Sequence, residues 1–351
     1  MNFDFHEFII NGLGHGAPPE PFRSDRRERR TEATAEVRNA RPTAKAGGNL
    51  LIKKKFMTDL LIGTSGYDYP EWKGVFYPED LKRKDFLSYY ATQFNALELN
   101  NTFYNMPTAE RLLSFYERAE GKLKFSVKAN RMLTHEIERN WQVEAEDFKM
   151  AVAPLQEKDC LAALLFQLPE SFHYTNDNRI YLARLIQKFE GFPVLIEFRH
   201  KEWIRPSVFE GLEKREAGIV FCDMPQLKNL PDGSAVNTPF IGSNAYIRLH
   251  GRNEGAWYAS AQKGQREQAA RTAVTSTNAN GAKTMGLTGE GANGSARYCY
   301  DYSDEELAQF IPVVLKAGRE GRKVQIYFNN HPNGSGAKNA VKLKNMIEGV
   351  F

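Results

Sequence analysis

One pattern recurs along most of the chain: a short apolar run ends at polar residues, and a segment with helical spacing follows. In the last copy, Lys323–His331 begins with β-branched and aromatic residues and ends in two amides and an imidazole. Residues 337–346 then carry apolar residues three and four positions apart. Strand, polar turn and helix form the repeating unit of an α/β protein. About eight such units within residues 57–351 predict a single TIM-type (β/α)8 barrel domain.

The predicted strands alternate with predicted helices, and Thr108 is a predicted helix N-cap. The strands are 60–64, 95–100, 124–128, 161–167, 193–198, 218–222, 244–250 and 323–328. The helices are 85–94, 108–119, 144–155, 178–189, 206–216, 303–318 and 337–346. The alternative is an open, doubly wound sheet. That fold favours a Gly-x-Gly-x-x-Gly turn after the first strand, and Gly63-Thr-Ser-Gly66 does not match it.

Two segments depart from the repeat. Residues 1–56 have almost no periodic apolar pattern and are predicted to be a disordered N-terminal extension. They hold 11 of the 47 Lys and Arg residues and 7 of the 43 Asp and Glu residues, so the rest of the chain is electrically balanced. Residues 259–296 are rich in Ala, Gly, Thr, Asn and Gln and are predicted to be a flexible, low-complexity insertion after the seventh strand. A tolerated insertion is the favoured reading, and a lid over the site is the alternative.

The same composition limits the cellular setting. The chain shows no secretory signal pattern and no apolar run near 18 residues, so a membrane partner is not expected. The three cysteines are widely separated, as expected for free thiols in a reducing compartment. These features predict a cytoplasmic protein. No cofactor motif appears, and no oligomeric state is predicted.

Polar side chains occur at the carboxyl ends of several predicted strands. Residues two apart share one face of a strand, and the carboxyl ends of barrel strands are the usual position of an active site. We therefore expect these side chains to meet in the barrel mouth. The candidate catalytic residues are Glu98, Glu197, Asp223 and His250. The candidate substrate-binding residues are Asn100, Tyr104, Lys128, Arg199, Arg248, Asn329, Asn330 and His331.

This set of residues indicates an anionic ligand. Three cations, several amides and the Gly-rich turn Asn333–Gly336 are suited to a phosphate or another small anion. Carboxylates and imidazoles could instead hold a divalent metal. The chain lacks the His-x-x-x-His and Asp-x-Asp spacings typical of such sites, so we assign no metal ligands from the sequence. A purely structural set of interior ion pairs is the remaining alternative.

The motifs along residues 58–346 resemble those of the domain of unknown function 72 family. They are Gly63–Tyr67 with Trp72 and Phe76–Pro78, Glu98–Tyr104, Lys128 with Thr134–His135, Leu165–Pro169, Glu197–His200 with Trp203, Asp223–Pro225, Tyr246–Arg252, Trp257–Tyr258, Tyr298–Ser303, Phe328–His331 and 337–343. The resemblance implies a (β/α)8 barrel and supplies no activity. Residues 1–56 and 259–296 lie outside the family pattern.

The leading hypothesis is an enzyme that acts on a small phosphorylated or otherwise anionic substrate, such as a sugar or nucleotide. Glu98 or Glu197 would provide general acid/base catalysis, and the three cations would bind the anion. One alternative is a non-catalytic protein that binds a ligand or contacts nucleic acid through the arginines of Arg26–Arg30. The other is a metal-dependent barrel resembling the phosphoesterases. Hydrolysis, isomerisation and lyase chemistry all remain open at this point.

Overall fold

The structure is a computed structural model that describes residues 59–232, 240–258 and 296–350. The predictions made for residues 1–56 and for almost all of the insertion at 259–296 lie outside the described residues. The same holds for nucleic-acid contact through the Arg-rich segment.

Eight parallel strands form a (β/α)8 barrel, as the repeat predicts. They run in the order β1-β8-β7-β6-β5-β4-β3-β2 around the sheet. Their bounds are β1 Leu60–Thr64, β2 Ala96–Leu99, β3 Lys124–Lys128, β4 Leu161–Gln167, β5 Val194–Glu197, β6 Gly218–Asp223, β7 Asn244–Leu249 and β8 Lys323–Phe328.

The helices lie between the strands. They are α1 Phe86–Gln93, α2 Ala109–Arg118, α3 Trp141–Glu157, α4 Asn176–Lys188, α5 Pro206–Glu213, α6 Asp304–Ala308, α7 Phe310–Arg319 and α8 Ser335–Glu348. The Thr108 side chain accepts a hydrogen bond from the backbone N–H of Arg111, which agrees with its predicted role as the N-cap of α2. The predicted single helix 303–318 is instead two helices. Pro312 has no N–H and its ring would collide with the carbonyl of Ala308, where α6 ends.

Side chains complete the pairing between β1 and β2, where the barrel closes. These strands share one backbone bridge, between Ser65 and Glu98. Before that bridge, the Asn95 amide accepts from Ile62 N at 3.0 Å and donates to the Leu60 carbonyl at 2.8 Å. The hydroxyl of Tyr90 accepts from Thr64 N at 2.8 Å and donates to the Ala96 carbonyl at 3.0 Å. Two side chains thus replace the missing backbone ladder, in line with the requirement that buried backbone groups be satisfied.

Gly63 is the residue that makes this arrangement sterically feasible. A Cβ at this position would lie 2.0 Å from the Ala96 carbonyl oxygen and 2.8 Å from the Tyr90 hydroxyl. We expect Gly63→Ala to lower the free energy of unfolding by about 3 kcal/mol, since overpacking a rigid site costs about that much. Urea unfolding monitored by circular dichroism measures the change. Gly211→Ala, in α5 with only a flexible arginine end within 4 Å, is the matched control and should not destabilise. Equal effects would contradict this account of the seam.

Alternation along the strands separates the interior of the barrel from the layer beneath the helices. The interior contains apolar and aromatic side chains such as Leu61, Leu195, Tyr246 and Tyr327. Toward the carboxyl ends the interior positions become polar and charged. The large apolar core lies outside the strands, against the helices. No helix in the described ranges is long and apolar enough to cross a membrane.

Candidate active site

A buried arginine links two glutamates at the mouth of the barrel. Arg248 on β7 donates from Nη1 to Glu197 Oε2 and from Nη2 to Glu98 Oε1, both at 2.6 Å. The second oxygen of Glu98 accepts a 2.7 Å hydrogen bond from Tyr246, whose hydroxyl lies 2.6 Å from Ser126 Oγ. The arginine and both glutamates are at most 2% exposed. Each of these buried charges is paired with an opposite one, as burial requires.

Arg199 extends this network toward solvent. Its Nε donates to Glu197 Oε1, so Glu197 binds two guanidinium groups. Burial acts to raise the pKa of Glu197, but the charges of Arg199 and Arg248 outweigh it and hold that pKa well below its usual value. Glu197 is therefore ionised at neutral pH and is not a proton donor there.

His250 is a neutral imidazole held by two neighbours. Arg199 Nη2 lies 3.0 Å from His250 Nε2, and the side-chain amide of Asn329 lies 2.9 Å from Nδ1. Burial and then the charge of Arg199 lower the pKa of His250 far below its usual value. Because a guanidinium only donates, Nε2 must accept and Nδ1 must carry the proton. The Asn329 atom next to Nδ1 is Nδ2, so a hydrogen bond from Nδ1 requires the amide to be turned so that Oδ1 takes that position.

Lys128 differs from the two arginines because none of the described carboxylates forms an ion pair with it. Its Nζ lies 4.2 Å from the centre of the Phe103 ring. Within the described part of the chain, no carboxylate pairs with this ammonium group. Burial, followed by the charge of Arg248, lowers the pKa of Lys128 to about 8. Lys128 is thus a cation placed among other cations at the end of β3.

His135 also contacts Phe103. The two rings meet edge to face with centres 4.8 Å apart, and His135 Nδ1 lies 2.9 Å from Thr134 Oγ1. Burial beneath neighbouring groups, then the charge of Lys128, lowers the pKa of His135 to about 4, although the residue as a whole keeps contact with solvent. His135 is therefore neutral at physiological pH and adds no positive charge to the mouth.

Two buried polar atoms at the carboxyl ends of β1 and β2 are unsatisfied within the described part of the chain. Ser65 Oγ and Asn100 Oδ1 have no hydrogen-bond partner among the described residues. Ser65 pairs with Glu98 across the barrel seam, and Asn100 directly follows the end of β2, two positions after Glu98. A buried polar atom without a partner is uncommon and costs free energy. Both atoms are consequently available to a bound ligand.

Asp223 does not join the two glutamates, contrary to the expectation from the sequence. Its carboxylate accepts from Arg252 Nε and Nη2 at 3.0–3.1 Å and from the Tyr302 hydroxyl at 2.6 Å. Burial raises the pKa of Asp223, although hydrogen bonds from Arg252 and Tyr302 act to lower it. The reason for this placement is strand alternation: Cys222 packs in the barrel interior, so Asp223 must point outward.

The remaining predicted residues lie at the end of β8 and on the rim. The Asn330 amide donates to the Tyr300 carbonyl and to Asn339 Oδ1, so it joins the preceding loop to α8. His331 stacks on Tyr69 with ring centres 4.6 Å apart. Tyr104 is 44% exposed beside Phe103.

Both ends of the predicted insertion approach His250. The ring centres of Trp257 and Tyr298 lie 6.3 Å and 5.8 Å from that of His250. Residues 259–295, which lie between them in the chain, fall outside the described residues. Ser65, His135 and these two aromatic residues were not selected as site residues from the sequence. In the sequence, these residues are marked only by their position in the motifs that resemble those of the family.

Glu197, Cys222 and His250 bring three potential metal donors within 4.8 Å of one another. The surrounding charges do not suit a metal ion. Two arginines already bind Glu197, and Arg199 occupies the Nε2 position of His250. A dication here would displace or repel both guanidinium groups.

The fold and this mouth define a (β/α)8 barrel with a charged site at the carboxyl ends of its strands. The chain belongs to the family described as "Protein of unknown function DUF72", whose model matches residues 61–350. The resemblance seen in the sequence motifs is confirmed.

Individual relatives agree with this assignment. The chain is 25% identical to UPF0759 protein YunF of Bacillus subtilis (strain 168), over 82% of this chain and 95% of that protein. It is similar to the crystal structure of a DUF72 family protein from Thermotoga maritima MSB8, with a TM-score of 0.66 and 30% identity over 82% of this chain and 99% of that one. A DUF72 family protein from Enterococcus faecalis V583 shares the fold, with a TM-score of 0.64 and 22% identity over 82% of this chain and 95% of that one.

Proposed function

We propose that this protein is an enzyme that binds a small anionic substrate, such as a phosphorylated sugar or a nucleotide, in the mouth of the barrel. The observation that carries the proposal is the charge balance there. Arg248, Arg199 and Lys128 supply three positive charges, and Glu98 and Glu197 supply two negative ones. Buried charges are normally paired, so one negative charge from a ligand would complete the site.

Lys128 is the centre of the proposed anion site. It is the member of the cluster without a carboxylate partner in the described residues. Arg199 is 11% exposed, and no hydrogen bond to its Nη1 occurs within the described ranges, so this nitrogen is a second donor. Ser65 Oγ and Asn100 Oδ1 would contact neutral hydroxyl or amino groups of the same substrate.

The ionisation of the site favours Lys128 over the glutamates as the group that transfers a proton. Glu197 is held ionised by two arginines, and all four glutamate oxygens are already engaged. Lys128 has a pKa of about 8. An efficient general acid or base has a pKa near the working pH. We therefore assign Lys128 as the proton donor to the substrate, with Glu98 and Glu197 as buried counter-charges that position the arginines.

The test compares ligands that differ only in a phosphate. Thermal unfolding of the full-length protein is measured with ribose 5-phosphate against ribose, and with glucose 6-phosphate against glucose. A phosphorylated member that binds should raise stability by about 2.7 kcal/mol at a hundredfold excess over its Kd. Lys128→Met should abolish the effect, whereas Lys338→Met, an exposed lysine on α8, should retain it. Persistence of the shift in Lys128→Met would contradict the proposed site.

A further inference from the structure

A second group of ligating side chains lies outside the mouth, in the loops that follow β4 and β5. His173, His200 and Glu202 each bring one donor atom to within 4.8 Å of the other two. Glu202 Oε2 lies 3.4 Å from His173 Nδ1 and 3.5 Å from His200 Nδ1. Both loops leave the carboxyl ends of strands, on the face where a barrel carries its site.

The spacing of these donors matches a transition-metal ion. With bonds of about 2.1 Å to nitrogen and oxygen, a tetrahedral zinc ion separates its donor atoms by about 3.4 Å. The two measured separations from Glu202 agree with this value. Two imidazoles and one carboxylate form a donor set that zinc uses in sites where the fourth position stays open. The side chains of His173 and Glu202 are 55% and 45% exposed, so an open position would face solvent.

The two loops hold the donors on a rigid support. Trp203, next to Glu202 in the chain, is 2% exposed and donates a 2.6 Å hydrogen bond to the carbonyl of Phe172, next to His173. The rings of Phe172 and Trp203 also stack, with centres 5.3 Å apart. The backbone N–H of Tyr174 donates to Glu202 Oε2 at 3.2 Å and orients the carboxylate. Preorganised donors of this kind are what a metal site requires.

His200 offers its donor atom in exchange for a hydrogen bond. The backbone N–H of Glu202 donates to His200 Nδ1 at 3.3 Å, which is long for such a bond. Nδ1 has one lone pair, so a metal ion bound there would replace this hydrogen bond. We propose that His173, His200 and Glu202 bind one divalent transition-metal ion of the zinc type, with at least one position left for water.

Metal binding to the full-length chain provides the test. The protein is stripped with a chelator and titrated with Zn²⁺ by calorimetry, and Co²⁺ absorption in the visible range reports the coordination. We expect one tightly bound ion and a Co²⁺ spectrum with nitrogen and oxygen ligands in low coordination number. Loss of an outer-shell partner alone weakens metal binding about 10–100-fold. His173→Ala and Glu202→Gln, which remove direct ligands, should weaken it by at least as much.

The controls distinguish Zn²⁺ binding at this cluster from Zn²⁺ binding elsewhere on the protein. His200 is left intact because its side chain caps the helical turn that follows it. Glu138→Gln alters an exposed carboxylate outside the cluster and should leave Zn²⁺ affinity unchanged. Circular dichroism confirms that the two ligand variants fold. Failure of the native chain to bind Zn²⁺ at one equivalent would overturn the proposal, and so would unchanged affinity in both His173→Ala and Glu202→Gln.

Discussion

Replacing Arg248 with methionine is expected to lower the free energy of unfolding by about 3–5 kcal/mol, the usual cost of breaking a buried ion pair by removing one partner. Among the described residues, the substitution leaves Glu98 without an ion-pair partner and leaves Glu197 paired with Arg199. Both carboxylates stay inaccessible to water, which cannot replace the lost hydrogen bonds. Urea unfolding followed by tryptophan fluorescence measures the change.

An exposed arginine of similar geometry is the matched control. Arg83 donates from Nε and Nη2 to the carboxylate of Asp68, and both side chains are well exposed. Arg83→Met should cost at most about 1 kcal/mol, because water solvates the remaining charge. Adding Glu98→Gln to Arg248→Met should restore part of the loss, since it removes one of the uncompensated charges. Equal costs for Arg248→Met and Arg83→Met would contradict the description of the mouth as a buried ionic cluster.

Sulfate affinity is expected to fall as the pH rises through about 8. Burial, then the charge of Arg248, lowers the pKa of Lys128 to about 8, so Lys128 loses its charge just above neutrality. Sulfate keeps the same charge across this range, and the arginines stay protonated. Affinity should decrease by about tenfold for each pH unit above that value. Calorimetric titration at a series of pH values from about 7 to about 10 gives the profile.

The variant Lys128→Arg separates this effect from general changes with pH. Arginine stays charged throughout, so its sulfate affinity should change little over the same range. In the absence of ligand, the pH dependence of stability provides a second check, because the pKa of Lys128 is lowered in the folded chain. The unfolded chain binds more protons at Lys128 than the folded chain does between about pH 8 and 10.5, so the Lys128 contribution to stability rises with pH across that window. Identical sulfate profiles for the wild type and Lys128→Arg would contradict the role given to Lys128.

The local pattern was sufficient to predict the strands and most helices. Each predicted strand appears within two residues of its predicted bounds, because period-two alternation and continuous apolar runs are strong signals. The seam between β1 and β2 was not predictable, because it depends on hydrogen bonds from the backbone of β1 to the side chains of Asn95 and Tyr90. The break at Gln309 could have been inferred from Pro312, which cannot donate to the carbonyl four residues earlier.

The candidate site was predictable only where strand alternation governs it. Glu98, Glu197, Arg199 and Arg248 meet as alternation predicts. The prediction for Asp223 is wrong because position at a strand end does not give the direction of a side chain. Asp223 follows Cys222, which faces the interior, so Asp223 faces outward. No spacing could have joined His173 to Glu202, since the two belong to different loops whose approach depends on Trp203. Alternation predicts the direction of a side chain, but it does not predict which polar or charged groups are left without a partner.

Locating a bound anion directly is the strongest test of the account. Crystals of the full-length protein soaked in selenate would show the anion by its anomalous scattering. We predict a peak within hydrogen-bond distance of Lys128 Nζ and Arg199 Nη1, close to Ser65 and Asn100, and its loss in crystals of Lys128→Met. A mouth without selenate in the wild type, or an unchanged peak in Lys128→Met, would contradict the proposal that the unpaired charge of Lys128 defines an anion-binding active site.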